Sequence, residues 1–168
     1  MTVAELLTEA FERIHATVHR VLDGAGAAEL TTRAGGTANP IGWLIWHLAR
    51  VQDDHLAGVA GCGQVWTADG WQQRFALPYA ADATGYAHTS AEVDAFAVPS
   101  GDLLIGYVDA VHAVTLEYVG GLCDADLDRV VDEGWDPPVT LGARLVSVIA
   151  DDLQHVGQAA FARGVVGG

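Results

Sequence analysis

Residues 141–163, LGARLVSVIADDLQHVGQAAFAR, carry the pattern that decides the fold. Their apolar side chains recur at helical spacing and form one stripe: Leu141, Leu145, Val148, Val156 and Ala159. The spacing predicts a helix over 141–163, with Thr140 as its N-cap and Gly164 at its end. Asp151 and His155 are four residues apart, so this helix places both side chains on one face. The stretch therefore predicts an amphipathic helix that carries two types of metal ligand.

Three other segments show the same helical period, and we predict helices over 2–23, 41–60 and 101–122. The connection over 31–40 is short. Two long connections cover 64–99, with a short helix at 90–96, and 124–138, with a helical turn. Four helices of similar length joined in this way predict an all-α four-helix bundle that forms one domain over residues 1–168.

Composition excludes several classes of protein. The chain has 168 residues and a net charge of −14, with 22 acidic residues against 8 basic ones. No basic stripe is available to neutralise phosphates, so we expect neither nucleic-acid nor anionic-membrane binding. The first residues lack the basic region of a signal peptide, and no apolar run is long enough to span a membrane. The two cysteines, Cys62 and Cys123, are expected to be reduced thiols. Together these features predict a cytoplasmic protein.

Asp151 and His155 need a third ligand from another helix to hold a metal ion. His47 is the natural candidate, because it lies at the flank of the apolar stripe of the second helix. Two nitrogens and one oxygen suit zinc, nickel or iron(II), and three protein ligands leave positions open for water or substrate. Asp152 lies on the core stripe, three residues before His155. It is either a rival ligand in place of Asp151 or a group that orients a ligand histidine.

The remaining histidines have more ordinary interpretations. His15 and His19, also four residues apart, are interpreted as a solvated pair, and His55 as a hydrogen-bonded core histidine.

Several other residues are candidates for substrate binding. Trp66 and Trp71, in the aromatic-rich connection, either roof a pocket or seal the end of the bundle. Arg144 lies on nearly the same helical face as Asp151, and Arg50 and Asp54 share the face of His47. All three charged residues are candidates for substrate binding, with ordinary surface charges as the alternative.

The order of these motifs resembles the DinB-like superfamily of bacterial four-helix metalloproteins, also described as DinB/YfiT-like. Asn39-Pro40 followed by GWLIWHL (42–48) resembles its second helix, whose histidine is a metal ligand. The run DDLQHVGQ (151–158) resembles its last-helix signature, and 126–129 the turn before that helix. The resemblance implies metal ligation by His47, Asp151 and His155. Much of the superfamily has a histidine where Asp151 stands; in using a carboxylate there, the chain is similar to mycothiol-dependent maleylpyruvate isomerase.

The carboxylate of Asp151, in place of a histidine, favours the thiol-dependent branch of the superfamily. That branch implies a metal, zinc before nickel or iron(II), which lowers the pKa of a low-molecular-weight thiol such as mycothiol. The expected activity is thiol S-transfer or isomerisation of a small-molecule substrate. A metal-dependent hydrolase and a non-catalytic, stress-related metal-binding scaffold are the alternatives. The resemblance also implies a homodimer.

Overall fold

The structure, a computed structural model, describes residues 1–167 and has four long helices in that range. They are α1 (Val3–Leu22), α3 (Ile41–Ala60), α7 (Gly101–Gly120) and α8 (Leu141–Val166). The predicted all-α class is confirmed. The predicted helices agree closely in their bounds, and α8 runs three residues further than the spacing predicted, to Val166 rather than 163.

Local signals in the sequence explain where these helices begin and end. Thr2 and Glu5 form a capping box at the start of α1, in which each side chain binds the other residue's backbone N–H. Thr140 accepts a hydrogen bond from the backbone N–H of Ala143 at the start of α8. Gly61, with φ +69°, ends α3 in the left-handed conformation that glycine adopts without strain.

The connections contain more secondary structure than predicted. Four short helices lie within them: α2 (Ala27–Thr31), α4 (Val65–Ala68), α5 (Trp71–Phe75) and α6 (Ser90–Asp94). The helix expected at 90–96 is therefore present, and a 3₁₀ turn at Asp124–Asp128 matches the expected helical turn. The antiparallel pair β1 (Val130–Asp132) and β2 (Val139–Thr140) was not predicted, because strands this short show no alternating pattern.

The four long helices pack as a ring. α1 contacts α7 and α8, and α3 contacts the same two helices. The α3–α8 seam and the α1–α7 seam therefore lie on opposite sides of the bundle. One apolar cluster centres on the aromatic residues of α3, and a second lies where α1 and α8 meet near the other end.

α7 is the one helix among residues 1–167 with the length and composition of a membrane span, at a mean hydropathy of 1.2. In this structure it contacts α1 and α3 and contributes Leu104, Tyr107 and Val111 to the core. α7 is therefore one of the four packed helices of the bundle, with a third of its apolar window buried.

Candidate metal centre and its cavity

The three residues singled out as ligands meet on the α3–α8 seam. His47 comes from α3, and Asp151 and His155 come from successive turns of α8. One ligand atom from each lies within 4.8 Å of the others. The rings of His47 and His155 meet edge to face with centroids 4.6 Å apart. The arrangement offers two imidazole nitrogens and one carboxylate, which is a suitable ligand set for a borderline divalent metal.

A loop carbonyl fixes the orientation of His47. The ring Nδ1 lies 2.6 Å from the carbonyl oxygen of Thr84, so Nδ1 carries the proton and donates it. The lone pair is then on Nε2, as in metal-ligating histidines whose other nitrogen donates to a backbone carbonyl. Trp43 stacks on the ring at 4.8 Å. Burial lowers the pKa of His47 below its ordinary value, which favours the neutral form that binds metals.

Gly85 allows this loop to approach the histidine. Its φ is +94°, and an added Cβ would lie 2.8 Å from His47 Nδ1. The same Cβ would lie 3.0 Å from ring atoms of both Trp43 and Trp46. A side chain at this position would therefore push the Thr84 carbonyl away from the imidazole.

His155 and Asp151 form the second half of the centre. His155 Nδ1 lies 3.0 Å from Gln158 Oε1, and its Nε2 lies 3.5 Å from Asp151 Oδ1. The hydrogen bond with Asp151 raises the pKa of His155. Burial opposes ionisation of Asp151, but the hydrogen bond from His155 and the charges of the neighbouring histidines together lower its pKa. Each of the two residues therefore favours the charged form of the other.

One oxygen of Asp151 supports a metal-binding role. Asp151 Oδ2 is buried and has no hydrogen-bond partner within residues 1–167. Such a group is costly to bury unless a cation or a donor satisfies it. The residues present therefore fit a divalent metal at this position.

Asp152 points elsewhere. It is fully buried among the core residues of α8, and neither of its oxygens has a hydrogen-bond partner in the described chain. The ligand cluster within the described residues contains Asp151 and not Asp152. Burial, together with the neighbouring Asp151 charge, raises the pKa of Asp152 well above its ordinary value. The geometry favours Asp151 over Asp152 as the ligand and gives Asp152 no hydrogen bond to either ligand histidine.

A cavity of about 460 Å³ opens beside the ligand cluster. Drug-sized ligands occupy cavities of this size. Its walls come from α3, from the Thr84–Tyr86 loop, from the segment before β2 and from α8: His47, Val51, Asp54, His55, Thr84, Tyr86, Trp135, Ser147, Val148 and Asp151. The cavity thus contains two of the three candidate ligands and the predicted substrate-binding residue Asp54.

His55 belongs to this cavity, although its helical position suggested a core histidine. It is only partly buried, and its Nδ1 lies 3.4 Å from an Arg144 guanidinium nitrogen. Burial lowers the pKa of His55, with the Arg144 charge as the next cause. Because arginine can only donate, Nδ1 accepts and the neutral ring carries its proton on Nε2. His55 is therefore a hydrogen-bond donor at the cavity wall.

Arg144 lies beside the cavity but is already paired. Its guanidinium donates to Asp132 Oδ2 at 2.9 Å, which ties α8 to β1. This ion pair holds the β1–β2 connection, which carries Trp135, against the helix. To bind a substrate carboxylate as predicted, Arg144 would have to divide its hydrogen bonds between the substrate and Asp132.

Arg50 has a structural position. Its side chain is fully buried, and it donates to the carbonyl of Ala83 at 3.1 Å and to Gln64 Oε1 at 2.8 Å. It also lies 3.4 Å from Asp53 Oδ2, which accepts from Tyr107 at 2.8 Å. The interpretation of Arg50 as a surface or substrate-binding residue does not match this geometry. Instead, Arg50 anchors the loop whose next residue fixes His47.

Trp66 and Trp71 pack inside the bundle, away from the cavity walls. Trp66 is buried against Phe75 and Tyr107, with ring centroids 5.1 Å away in each case. Trp71 lies against Tyr107 at 5.8 Å and fills the space left by Gly106. The two tryptophans therefore seal the bundle and do not roof the cavity. The exposed rings at the cavity are instead Tyr86 and Trp135. Both lie in loops, so no helical spacing indicated their role.

Comparison with known proteins agrees with this geometry. The family model described as the DinB superfamily matches residues 10–159. A solved structure, a conserved protein from Enterococcus faecalis, is 32% identical with a TM-score of 0.92, and the match covers 100% of this chain and 99% of that chain. No curated protein matches the chain.

Proposed function

Because the chain belongs to the DinB superfamily, and because His47, Asp151 and His155 converge beside an open cavity, we propose that it is a divalent-metal-dependent enzyme. In this proposal it is a thiol S-transferase or isomerase that uses a low-molecular-weight thiol such as mycothiol. The observation that carries the proposal is the position of the ligands. Two of the three form part of the cavity wall, so a substrate in the cavity would reach the open side of the centre.

Each part of the centre has a defined task in this proposal. His47, Asp151 and His155 would hold the metal, with zinc the first choice for two nitrogens and one oxygen. The Thr84 carbonyl and Gln158 hold the two imidazoles in orientation. A bound divalent cation would supply the charge that deprotonates a coordinated thiol.

The cavity walls suit a polar, electrophilic substrate. The Nε2–H of neutral His55 can donate to a substrate carbonyl oxygen, which would orient that group and withdraw electrons from it. The rings of Tyr86 and Trp135 flank the cavity and would cover a bound thiol from water. Asp54 adds a carboxylate to the wall beside the centre.

The test is a thiol-dependence assay on zinc-loaded protein. Conjugation of a chromogenic aryl halide is followed with mycothiol, with glutathione and without thiol, beside hydrolysis of a nitrophenyl ester. The proposal predicts conjugation that needs both metal and thiol, is abolished in Asp151→Ala and is retained in the exposed-acid control Asp69→Ala. Ester hydrolysis without thiol would point to the hydrolase instead. Bound metal with neither activity would contradict the thiol chemistry and leave a metal-binding scaffold.

A further inference from the structure

A second group of potential ligands lies on the α1–α7 seam, on the opposite side of the bundle. Glu12, His15 and His19 project from α1, and Asp109 and His112 project from α7. Residues three and four apart in a helix share a face, which explains why each helix presents its members together. Three of the seven histidines of the chain therefore meet at one seam.

The contacts in this group are short and convergent. His15 Nε2 and His19 Nε2 each lie 2.7 Å from the same oxygen, Asp109 Oδ1. The interpretation of His15 and His19 as a solvated pair was wrong, because both rings make a hydrogen bond to the same carboxylate, that of Asp109. Their spacing on α1 supplies two nitrogens to one point, and α7 supplies the carboxylate.

We propose that His15, His19 and Asp109 form a second divalent metal site, which takes zinc or nickel and joins α1 to α7. The donor set is two imidazoles and one carboxylate, and two histidines four apart on a helix are an established way to chelate zinc. The three ligand atoms lie within 4.8 Å of one another. This proposal is independent of the proposed function, since it concerns the other seam.

The surroundings hold one ligand in place and leave the group accessible to an ion. His112 stacks on His15 with ring centroids 4.0 Å apart and an angle of 10°, which holds the His15 ring in place. The side chains of His15, His19 and Asp109 are 22%, 39% and 47% exposed, so an ion can enter from solvent. The net charge of −14 raises the local concentration of cations around the protein.

A rival arrangement shares His15. Glu12, His15 and His112 also offer ligand atoms within 4.8 Å, although His112 Nε2 and Glu12 Oε2 are 3.7 Å apart. We favour the Asp109 group because its two nitrogens each lie 2.7 Å from the carboxylate oxygen, closer than His112 lies to Glu12. The two arrangements share His15 and differ in four side chains, His19 and Asp109 against Glu12 and His112.

The experiment removes the first site and then measures the second. His47→Ala/His155→Ala protein is purified, loaded with zinc or nickel, dialysed and measured by elemental analysis, and its affinity is measured against a chromogenic chelator. We expect about one equivalent of metal per chain. His19→Gln and Asp109→Asn, added to this background, should weaken binding at least about 10-fold, because even the loss of a group that only orients a ligand costs that much.

Two controls test the assignment. Glu117→Gln removes the same charge from an exposed position of α7, and His112→Gln removes an imidazole from the same seam. Glu117→Gln should keep the metal affinity of the background protein. His112→Gln should lose less affinity than His19→Gln does. Circular dichroism checks that every variant is folded. Three results would each overturn the proposal: no metal in the background protein, binding that survives both His19→Gln and Asp109→Asn, or loss in His112→Gln alone.

Discussion

Gly85→Ala tests whether the Thr84–Gly85 loop positions His47 for metal binding. The glycine has φ +94°, a conformation that costs an L-residue about 1–3 kcal/mol. Its new Cβ would also lie 2.8 Å from His47 Nδ1 and 3.0 Å from Trp43. Either the loop moves and the Thr84 carbonyl leaves Nδ1, or the imidazole moves toward Asp151. Both outcomes disturb the ligand geometry.

The expected loss in metal affinity is about 10–100-fold, the range found when a group that orients a ligand histidine is lost. Zinc affinity is measured by competition with a chromogenic chelator, and stability by urea unfolding. Gly70→Ala is the matched control, because Gly70 has φ +75° but an added Cβ would meet only Gln73 Oε1, at 3.7 Å. It should lose stability to a similar backbone strain and keep its zinc affinity. Equal zinc affinity in Gly85→Ala and wild type would refute the role given to this loop.

Two further predictions concern buried charge. Arg50→Met should lower the free energy of unfolding in urea by about 3–5 kcal/mol, because Asp53 loses a buried cationic neighbour; a loss below about 1 kcal/mol would mean that this network does not anchor the loop. Asp152→Asn should flatten the dependence of stability on pH in chelator-treated protein. A carboxyl whose pKa is raised on folding contributes full stability below its unfolded pKa of about 3.9 and loses it as pH rises, by up to about 1.4 kcal/mol per unit. Identical slopes for wild type and Asp152→Asn would show that Asp152 does not ionise in this range.

The four long helices could be predicted because their signals are local. Apolar period, caps and glycine stops within each segment specify where α1, α3, α7 and α8 begin and end. The pairing of Asp151 with His155 is equally local, since it depends on one turn of α8. His47 required the family resemblance as well, because nothing in the sequence states which helices are neighbours.

The rest of the site depends on long-range contacts. The choice between Asp151 and Asp152 could not be made from spacing, because both lie within one turn of His155 and only the position of α3 separates them. Thr84, Tyr86 and Trp135 reach the cavity from loops, where no period marks the side that faces the protein. A glycine within the aromatic connection is the only local feature at position 85, and its positive φ is seen in the structure and not in the sequence. Likewise, Asp109 lies 94 residues from His15 and 90 from His19, and no pattern in the sequence indicates that they are in contact.

Metal content tests the central claim most directly, that His47, Asp151 and His155 hold a divalent metal. Zinc-loaded, dialysed protein with an intact centre is compared with Asp151→Ala, Asp152→Ala, His47→Ala and His155→Ala by elemental analysis. All are made in a His19→Gln/Asp109→Asn background, which weakens the second proposed site. If these residues hold the metal, the intact centre and Asp152→Ala bind about one equivalent, and Asp151→Ala, His47→Ala and His155→Ala lose it. No metal in the intact centre, or loss on Asp152→Ala with retention in Asp151→Ala, would contradict that claim.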